Sequence, residues 1–248
     1  MAYPVYENSG ILITSTSASL SLDYPSSISA NDILIAVVAK DGTYGSGNAT
    51  APSGFTYVAG TDGSGDNFQT RIYWKRAVGS ELGSITFTWD NTPTTVTAGM
   101  IHRYSGCITT GNAYYQVNAS ATAGSASSTA NIPACNTGGD QRLVMSYVFV
   151  KANTSVATAS DYTHITLDVT TVGVDITFKS QSQQVPTAPS VPSDTSTLGA
   201  SSYWASYTVS LIPAVTDWPH NYLGVDNADI NEINTVAKSN IKAVNTVE

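Results

Sequence analysis

Residues 32–39 read Asp-Ile-Leu-Ile-Ala-Val-Val-Ala, an apolar run of strand length that follows a polar turn. Such a run predicts a buried β-strand. Strand signals of the same kind recur along the chain, in residues 68–77, 84–89, 97–104, 142–150, 165–169, 172–180 and 202–212. Turns rich in Gly, Ser, Asn and Pro separate them, and no convincing helical periodicity precedes residue 220. The pattern predicts an all-β fold, an antiparallel sandwich or barrel.

A second regularity indicates an internal duplication. Four motifs recur in order at offsets of 104 to 108 residues: 32–35 with 140–144, 53–56 with 160–163, 74–75 with 178–179, and 98–104 with 205–211. Ordered echoes at one offset are typical of a repeated unit. We therefore predict one jelly-roll-like antiparallel β-sandwich over residues 1–215, built from similar halves at about 10–105 and 130–213. Two small sandwiches are the alternative.

Composition excludes several partners. Charged residues make up 11% of the chain, against about 25% in typical soluble domains. The formal net charge is -8, so the chain lacks the basic stripe that nucleic acid or an anionic membrane requires. No apolar window is long enough to span a bilayer. The first residues do not form a secretory signal, so we expect synthesis in the cytoplasm.

The clearest repeat occupies the C-terminal segment, residues 216–248, which we predict to be a linker and a docking tail. Residues 225–235 and 236–246 repeat with a period of 11 residues. Apolar spacings of 5, 3 and 3 average about 3.67, the hendecad value. On a helix of about 36 Å, one apolar stripe would form within about 160°. Its members are Val225, Ile230, Ile233, Val236, Ile241, Val244 and Val247.

Intrinsic helix propensity in this tail is poor. Asn, Thr and β-branched residues are mediocre helix formers, so an isolated helix should fray. We therefore predict that the tail orders when its stripe docks on sister subunits or in a partner's groove. Packing of the tail on its own sandwich and flexible disorder are the alternatives.

Catalytic constellations are absent from the sequence pattern. No nucleophile elbow, zinc helix or phosphate-binding loop occurs. His102 should face a sheet surface, His164 follows a turn, and His220 begins the linker. The acids Asp32, Asp140, Asp161 and Asp168 sit at turns or strand ends, where Asp is a normal turn former. The sequence thus predicts no enzyme, no cofactor and no metal, although carboxylates assembled in space are invisible to such reasoning.

Three local features leave alternatives open. Cys107 and Cys135 are interpreted as buried apolar residues, with a disulfide or a reactive thiol as alternatives. Residues 62–67 are interpreted as a hairpin turn, because they lack the spacing of a calcium loop. Pro186, Pro189 and Pro192 predict a rigid surface loop between strands, with a polyproline ligand as the alternative.

Loop aromatics suggest a second function. Tyr44, Tyr57, Tyr114 and Tyr115 lie in or near loops, and loops of a sandwich commonly carry binding sites. They could stack on a sugar, which would make the chain a carbohydrate-binding attachment module for a host surface glycan. Packing at the core or its rim is the alternative for each tyrosine.

Several of these motifs together resemble a β-sandwich module of phage and prophage structural genes. The resemblance is carried by NDILIAVVAKDG (31–42), APSGFTYV (51–58), RIYWKRAVGSE (71–81), ITFTW (85–89) and AGMIHRYSG (98–106). Cys107 stands where that pattern has an aliphatic residue, which favours a buried thiol. The tail resembles "INGV"-type repeats near the ends of virion proteins, with Asn234-Thr235-Val236 in place of Asn-Gly-Val.

The resemblance implies a bacteriophage virion structural protein, either a capsid decoration or head fibre or a component of a tail appendage. Its partners would be other virion proteins, capsid or tail, or copies of itself in a homo-oligomer such as a trimer. A surface glycan is a further possible partner, and nucleic acid and membranes are not expected. No catalytic residue transfers from the family.

Overall fold

The computed structural model describes residues 2–42, 49–62, 68–90, 96–121, 125–169, 176–187 and 189–214, and the backbones of residues 232–233 and 236–237. Residues 2–214 form one compact unit, called the body here. Within the described residues the body is all-β, and its paired strands are antiparallel. The predicted all-β class is confirmed. No helix in the described part of the chain is long and apolar enough to cross a membrane.

The described residues of the first half of the body, up to residue 105, form nine strands. They are β1 (Val5–Ser9), β2 (Ile13–Ser15), β3 (Ser19–Asp23), β4 (Ile33–Asp41), β5 (Ala49–Thr50), β6 (Thr56–Asp62), β7 (Phe68–Arg76), β8 (Ser84–Trp89) and β9 (Val96–Ser105). A large sheet has the order β1-β9-β4-β7-β6, with β2 also paired to β9. A small sheet has the order β3-β8-β5.

The second half repeats this plan. Its strands are β10 (Tyr114–Ala121), β11 (Ser127–Ile132), β12 (Cys135–Asn136), β13 (Arg142–Val150), β14 (Thr163–Val169), β15 (Thr177–Val185), β16 (Ser190–Val191), β17 (Asp194–Ser202) and β18 (Trp204–Leu211). The large sheet is β10-β18-β13-β15-β14, and the small pairs are β11-β17 and β12-β16. The two large sheets have the same order when β1, β9, β4, β7 and β6 are matched in turn with β10, β18, β13, β15 and β14. Each half thus has a large sheet and small-sheet strands of its own.

Three apolar clusters hold these layers together. The central cluster joins the two large sheets, and it includes Ile35 and Val37 from β4 and Met145 and Phe149 from β13. An outer cluster in each half packs the small strands on the other face of its large sheet. Every residue of β4 is buried, because alternate side chains reach different clusters. This double burial explains the uninterrupted apolar run at residues 32–39.

The contact between the large sheets has an approximate two-fold symmetry. In the first half, the hydroxyls of Thr61 on β6 and Thr70 on β7 hydrogen-bond across the strands, and Tyr207 of the second half bonds to both. In the second half, Thr166 on β14 and Ser180 on β15 form the matching pair. An interface between like surfaces is expected to repeat its contacts in this way.

His102 of the first half contacts this second pair as Tyr207 contacts the first. Its Nε2 lies 3.1 Å from the Ser180 hydroxyl. The prediction that His102 faces a sheet surface is wrong, since its exposed fraction is 0%. The outward face of a large sheet in one half is covered by the other half, and that covering cannot be read from one strand.

The body has two distinct ends. Where β4 and β13 begin, Cys107 and Pro213 form a β-bridge. Where these strands finish, Lys151 Nζ and Asp41 Oδ1 form an ion pair of 2.8 Å. The two strands therefore run in the same direction. The end where they begin also holds Ala214, whose N–H donates to the Gly106 carbonyl at 2.7 Å, and it is called the tail end here.

Little of the predicted tail helix falls on described residues. Glu232–Ile233 (β19) and Val236–Ala237 (β20) pair as a short antiparallel ladder, with Ile233 opposite Val236. These four residues are therefore extended, where the 11-residue period predicts a helix. The remaining stripe positions, Val225, Ile230, Ile241, Val244 and Val247, lie outside the described residues.

Candidate functional site

An open groove lies at the tail end of the second half. It has a volume of about 670 Å³, which is within the range of ligand pockets. Its walls come from β10, from β12 and the turn before β13, and from the segment between β15 and β16. The lining residues are Tyr115, Asn136, Gly138, Gly139, Asp140, Thr187 and Pro189. This surface is called the Tyr115 groove here.

Backbone hydrogen bonds join the turn before β13 to the segment between β15 and β16. Thr137 N–H donates to the Pro189 carbonyl at 3.0 Å, and Gln141 N–H donates to the Pro186 carbonyl at 3.0 Å. The third wall is tied in by Gln116 on β10, whose Oε1 accepts the Asn136 N–H at 2.6 Å. The prolines thus belong to a surface connection between strands, as predicted. Their carbonyls bond to the turn that forms the groove.

Tyr115 is held in place by a glycine. Gly138 has φ +66°, a conformation that favours glycine. A Cβ at this position would come within 2.5 Å of ring atoms of Tyr115, so only glycine lets the ring lie against the turn. Tyr115 itself remains 54% exposed. The ring is therefore supported on one side and open to the groove.

Two polar side chains in the Tyr115 groove are open to a ligand. No described residue hydrogen-bonds to the side chains of Asn136 or Asp140, and both residues are exposed. Arg142 lies behind the turn, and its Nη2 is 3.4 Å from the Gly138 carbonyl. Its Nε and Nη1 are buried without an acceptor among the described residues. Burial lowers the pKa of Arg142, and the nearby Asp140 carboxylate opposes that shift.

The first half has a groove in the equivalent place, and its charges are paired. It is lined by Tyr24, Pro25, Ser26, Ser27, Ile28, Gly79, Ser80, Glu81, Leu82 and Gly83. Glu81 accepts the N–H groups of Val78 and Gly79 at 2.9 Å each and an ion pair from Lys75 at 3.0 Å. Burial acts to raise the pKa of Glu81, but these bonds outweigh it and lower the pKa.

The aspartates before β4 and β13 differ in the same way. Asp32 is 5% exposed, accepts the Ser29 N–H at 2.8 Å and pairs with Arg103 Nε at 2.6 Å. Asp140, at the corresponding position, has neither kind of contact among the described residues. The two halves therefore have the same arrangement of strands, but the aspartate is paired in the first half and has no such contact among the described residues in the second.

The four tyrosines singled out in the sequence have different surroundings. Tyr115 lies in the groove. Tyr57 on β6 is 52% exposed and contacts Tyr73 edge-on at 5.8 Å, but it lines none of the grooves described here. Tyr114 is half-buried against the central cluster, with its ring edge-on to Trp74 at 6.1 Å, so it packs at the core rim. Tyr44 lies outside the described residues.

The histidines and cysteines offer no reactive centre among the described residues. Burial lowers the pKa of His102 to about 3, and His164 is exposed on β14. Both cysteines are free and buried, as their interpretation as apolar residues predicts. Burial raises the pKa of Cys107 to about 12 and that of Cys135 to about 11, which makes their thiols unreactive. His220 lies outside the described residues.

Carboxylates of the described residues do not converge on a metal site. No group of three His, Cys, Asp or Glu in that part of the chain is placed to hold a metal ion. In the 62–67 segment, Asp62 forms an ion pair with Arg71 at 2.6 Å. Residues 63–67 lie outside the described residues. Asp32, Asp140 and Asp161 lie beside turns, as predicted. The side chain of Asp168 is not described.

Comparison with protein-family models, with curated proteins and with solved structures gives no match for this chain. Candidate function therefore rests on geometry and on the sequence motifs. Sequence reasoning found Tyr115 but missed Asn136, Gly138 and Asp140 as its neighbours. The Gly138-Gly139 pair before a predicted strand was the one available signal, because consecutive glycines often mark a close backbone approach.

Proposed function

We propose that this chain is a bacteriophage virion structural protein, either a capsid decoration or head fibre or a tail-appendage component. Its body is a duplicated sandwich of jelly-roll type. Residues 216–248 anchor it to another virion protein or to sister subunits, and the protein is located in the virion. The proposal draws on the motifs of residues 31–106 and on the 11-residue repeat.

One observation carries the anchoring part of the proposal. Ala214, which precedes the tail, lies at the same end of the body as two large exposed apolar side chains. Val78 and Leu82, in the connection between β7 and β8, are 69% and 87% exposed. Exposed apolar groups near a docking segment favour contact with a partner.

A pair of tail variants tests the anchor. In the stripe variant, Ile230, Ile233 and Val236 are each changed to Ser. In the matched control, Asn227, Asn231 and Lys238, on the opposite face of the predicted helix, are each changed to Ser. We expect the stripe variant to keep the thermal transition of the body but to be missing from purified particles, because its apolar contact is lost.

Deletion of residues 221–248 should give the same loss of incorporation and a smaller oligomeric mass by light scattering. The control variant should enter particles as the unaltered chain does. If the truncated protein were incorporated normally, the tail would not be the anchor.

A further inference from the structure

The Tyr115 groove combines an exposed aromatic ring with two polar side chains, of Asn136 and Asp140, that have no hydrogen-bond partner among the described residues. Most exposed polar side chains face solvent in isolation. Here an amide, a carboxylate and a ring lie around one concave surface of about 670 Å³. A few convergent polar groups beside an aromatic face are the usual composition of a small-molecule site.

The Tyr115 ring is held in position by its contacts. Gly138 supports it from one side, and the turn that carries Gly138 is bonded to the opposite wall through Thr137 and Gln141. A flat ring that is already ordered costs little conformational entropy when a ligand stacks on it. Tyr57 has nearly the same exposure but lines none of the grooves described here.

The polar groups match hydroxyl-rich ligands. Asn136 offers an amide donor and a carbonyl acceptor, and Asp140 offers a carboxylate acceptor. A pyranose presents C–H groups on one face, which suit an aromatic ring, and hydroxyls around its rim, which both donate and accept. A purely apolar ligand would leave the Asp140 carboxylate without a donor, at a cost.

From this arrangement we propose that the Tyr115 groove binds a neutral saccharide. One pyranose ring stacks on Tyr115, and its hydroxyls hydrogen-bond to Asn136 and Asp140. An acidic sugar is disfavoured, because its carboxylate would face Asp140 in a protein of net charge -8. Like charges at hydrogen-bond distance repel. The proposal does not depend on the virion assignment, since a saccharide could bind whichever particle or surface carries the protein.

The equivalent groove of the first half is expected not to bind sugar. Its carboxylate, Glu81, is 9% exposed and is already satisfied by Val78, Gly79 and Lys75. The chain thus contains, for comparison, a second groove whose carboxylate is already paired.

The test is saturation-transfer difference NMR on the full chain with four neutral trisaccharides: maltotriose, cellotriose, mannotriose and chitotriose. Sialyllactose serves as the acidic probe. At least one neutral probe should give a saturable signal below about 10 mM, a weak affinity on the usual scale. Sialyllactose should give a weaker signal or none.

Variants then locate the binding. Tyr115→Ala and Asp140→Ala should each weaken it at least about tenfold, and Gly138→Ala should weaken it by displacing the ring. Tyr57→Ala and Tyr24→Ala should leave the affinity unchanged. Circular dichroism and the Tm confirm that each variant is folded.

Three results would overturn the proposal. They are the failure of all four neutral probes to saturate, retention of full affinity by Tyr115→Ala together with Asp140→Ala, and an equal loss of affinity in Tyr57→Ala. None of them bears on whether the tail anchors the protein, so the two proposals fail separately.

Discussion

His102 is the residue whose surroundings differ most from what its sequence context suggests. Rings of Tyr6, Tyr104, Tyr147 and Phe178 surround it at centroid distances of 5.4 to 6.4 Å. Its Nδ1 has no hydrogen-bond partner among the described residues. Desolvation therefore lowers the pKa of this imidazole to about 3, and the folded protein holds it neutral at the contact between the two halves.

A pH dependence of stability follows. In the unfolded chain the imidazole binds a proton near pH 6.5, and in the folded chain it does so only near pH 3. The unfolded state therefore binds more protons between these values, and the free energy of unfolding falls as the pH falls from 6.5 towards 3. This residue contributes at most about 1.4 kcal/mol per pH unit. Urea unfolding at a series of pH values measures the slope.

His102→Gln should remove this part of the slope, because an amide does not titrate and still hydrogen-bonds to Ser180. His164→Gln changes an exposed histidine and should leave the slope as it is. If the His102→Gln protein lost stability with acid as steeply as the unaltered chain, the buried neutral imidazole would not be the cause.

At the scale of single elements, β4 and β3 illustrate two kinds of strand. β4 is buried on both faces, so Leu34 packs in the outer cluster and Ile35 in the central one. β3 alternates exposed and buried residues, with Leu22 in the outer cluster and Ser21 outward. The difference arises because β4 lies between two layers and β3 covers one of them.

Alanine substitution should distinguish the two strands. We expect Leu34→Ala and Ile35→Ala each to lower the free energy of unfolding by about 2–5 kcal/mol, since both leave a cavity. On β3, Leu22→Ala should cost a similar amount, whereas Ser21→Ala should change stability by less than about 0.5 kcal/mol. Chemical denaturation measures all four. A negligible effect of either β4 substitution would show that one face of β4 is not packed.

Strand positions were predictable where apolar residues dominate. The predicted segments at 84–89 and 142–150 coincide with β8 and β13. Of the predicted strand at 172–180, residues 172–175 lie outside the described residues, and β15 runs on to Val185 in a polar stretch paired to β13. The strands β10, β11 and β17 were missed, since their Ser-, Thr- and Ala-rich sequences show little alternation. Their pairing with neighbours, not their own composition, makes them strands.

For the whole molecule, the decisive feature is that the two halves share the central cluster. Each half covers the apolar face of the other's large sheet, as Val37 and Met145 illustrate. The hydrogen bonds of Tyr207 to Thr70 and of His102 to Ser180 add specificity to this interface. A half on its own would expose that face to water.

We therefore expect the body to unfold in one transition. In differential scanning calorimetry of the full chain, the van't Hoff and calorimetric enthalpies of the body's transition should agree. A fragment of residues 1–112 should aggregate or form a dimer through its uncovered sheet. Two resolved transitions within residues 2–214, or a monomeric folded fragment, would contradict this expectation.

By itself, the sequence determined the all-β class, most core strands, the internal duplication and the burial of both cysteines. These properties follow from local hydrophobic pattern and from similarity between segments of one chain. The tertiary structure alone decided that His102 is buried, that the halves meet through their large sheets, and that Tyr115, Asn136, Gly138 and Asp140 surround one groove. The reason is physical: strand pairing and layer packing bring distant residues together, and the free energy of those contacts depends on which face the other half covers.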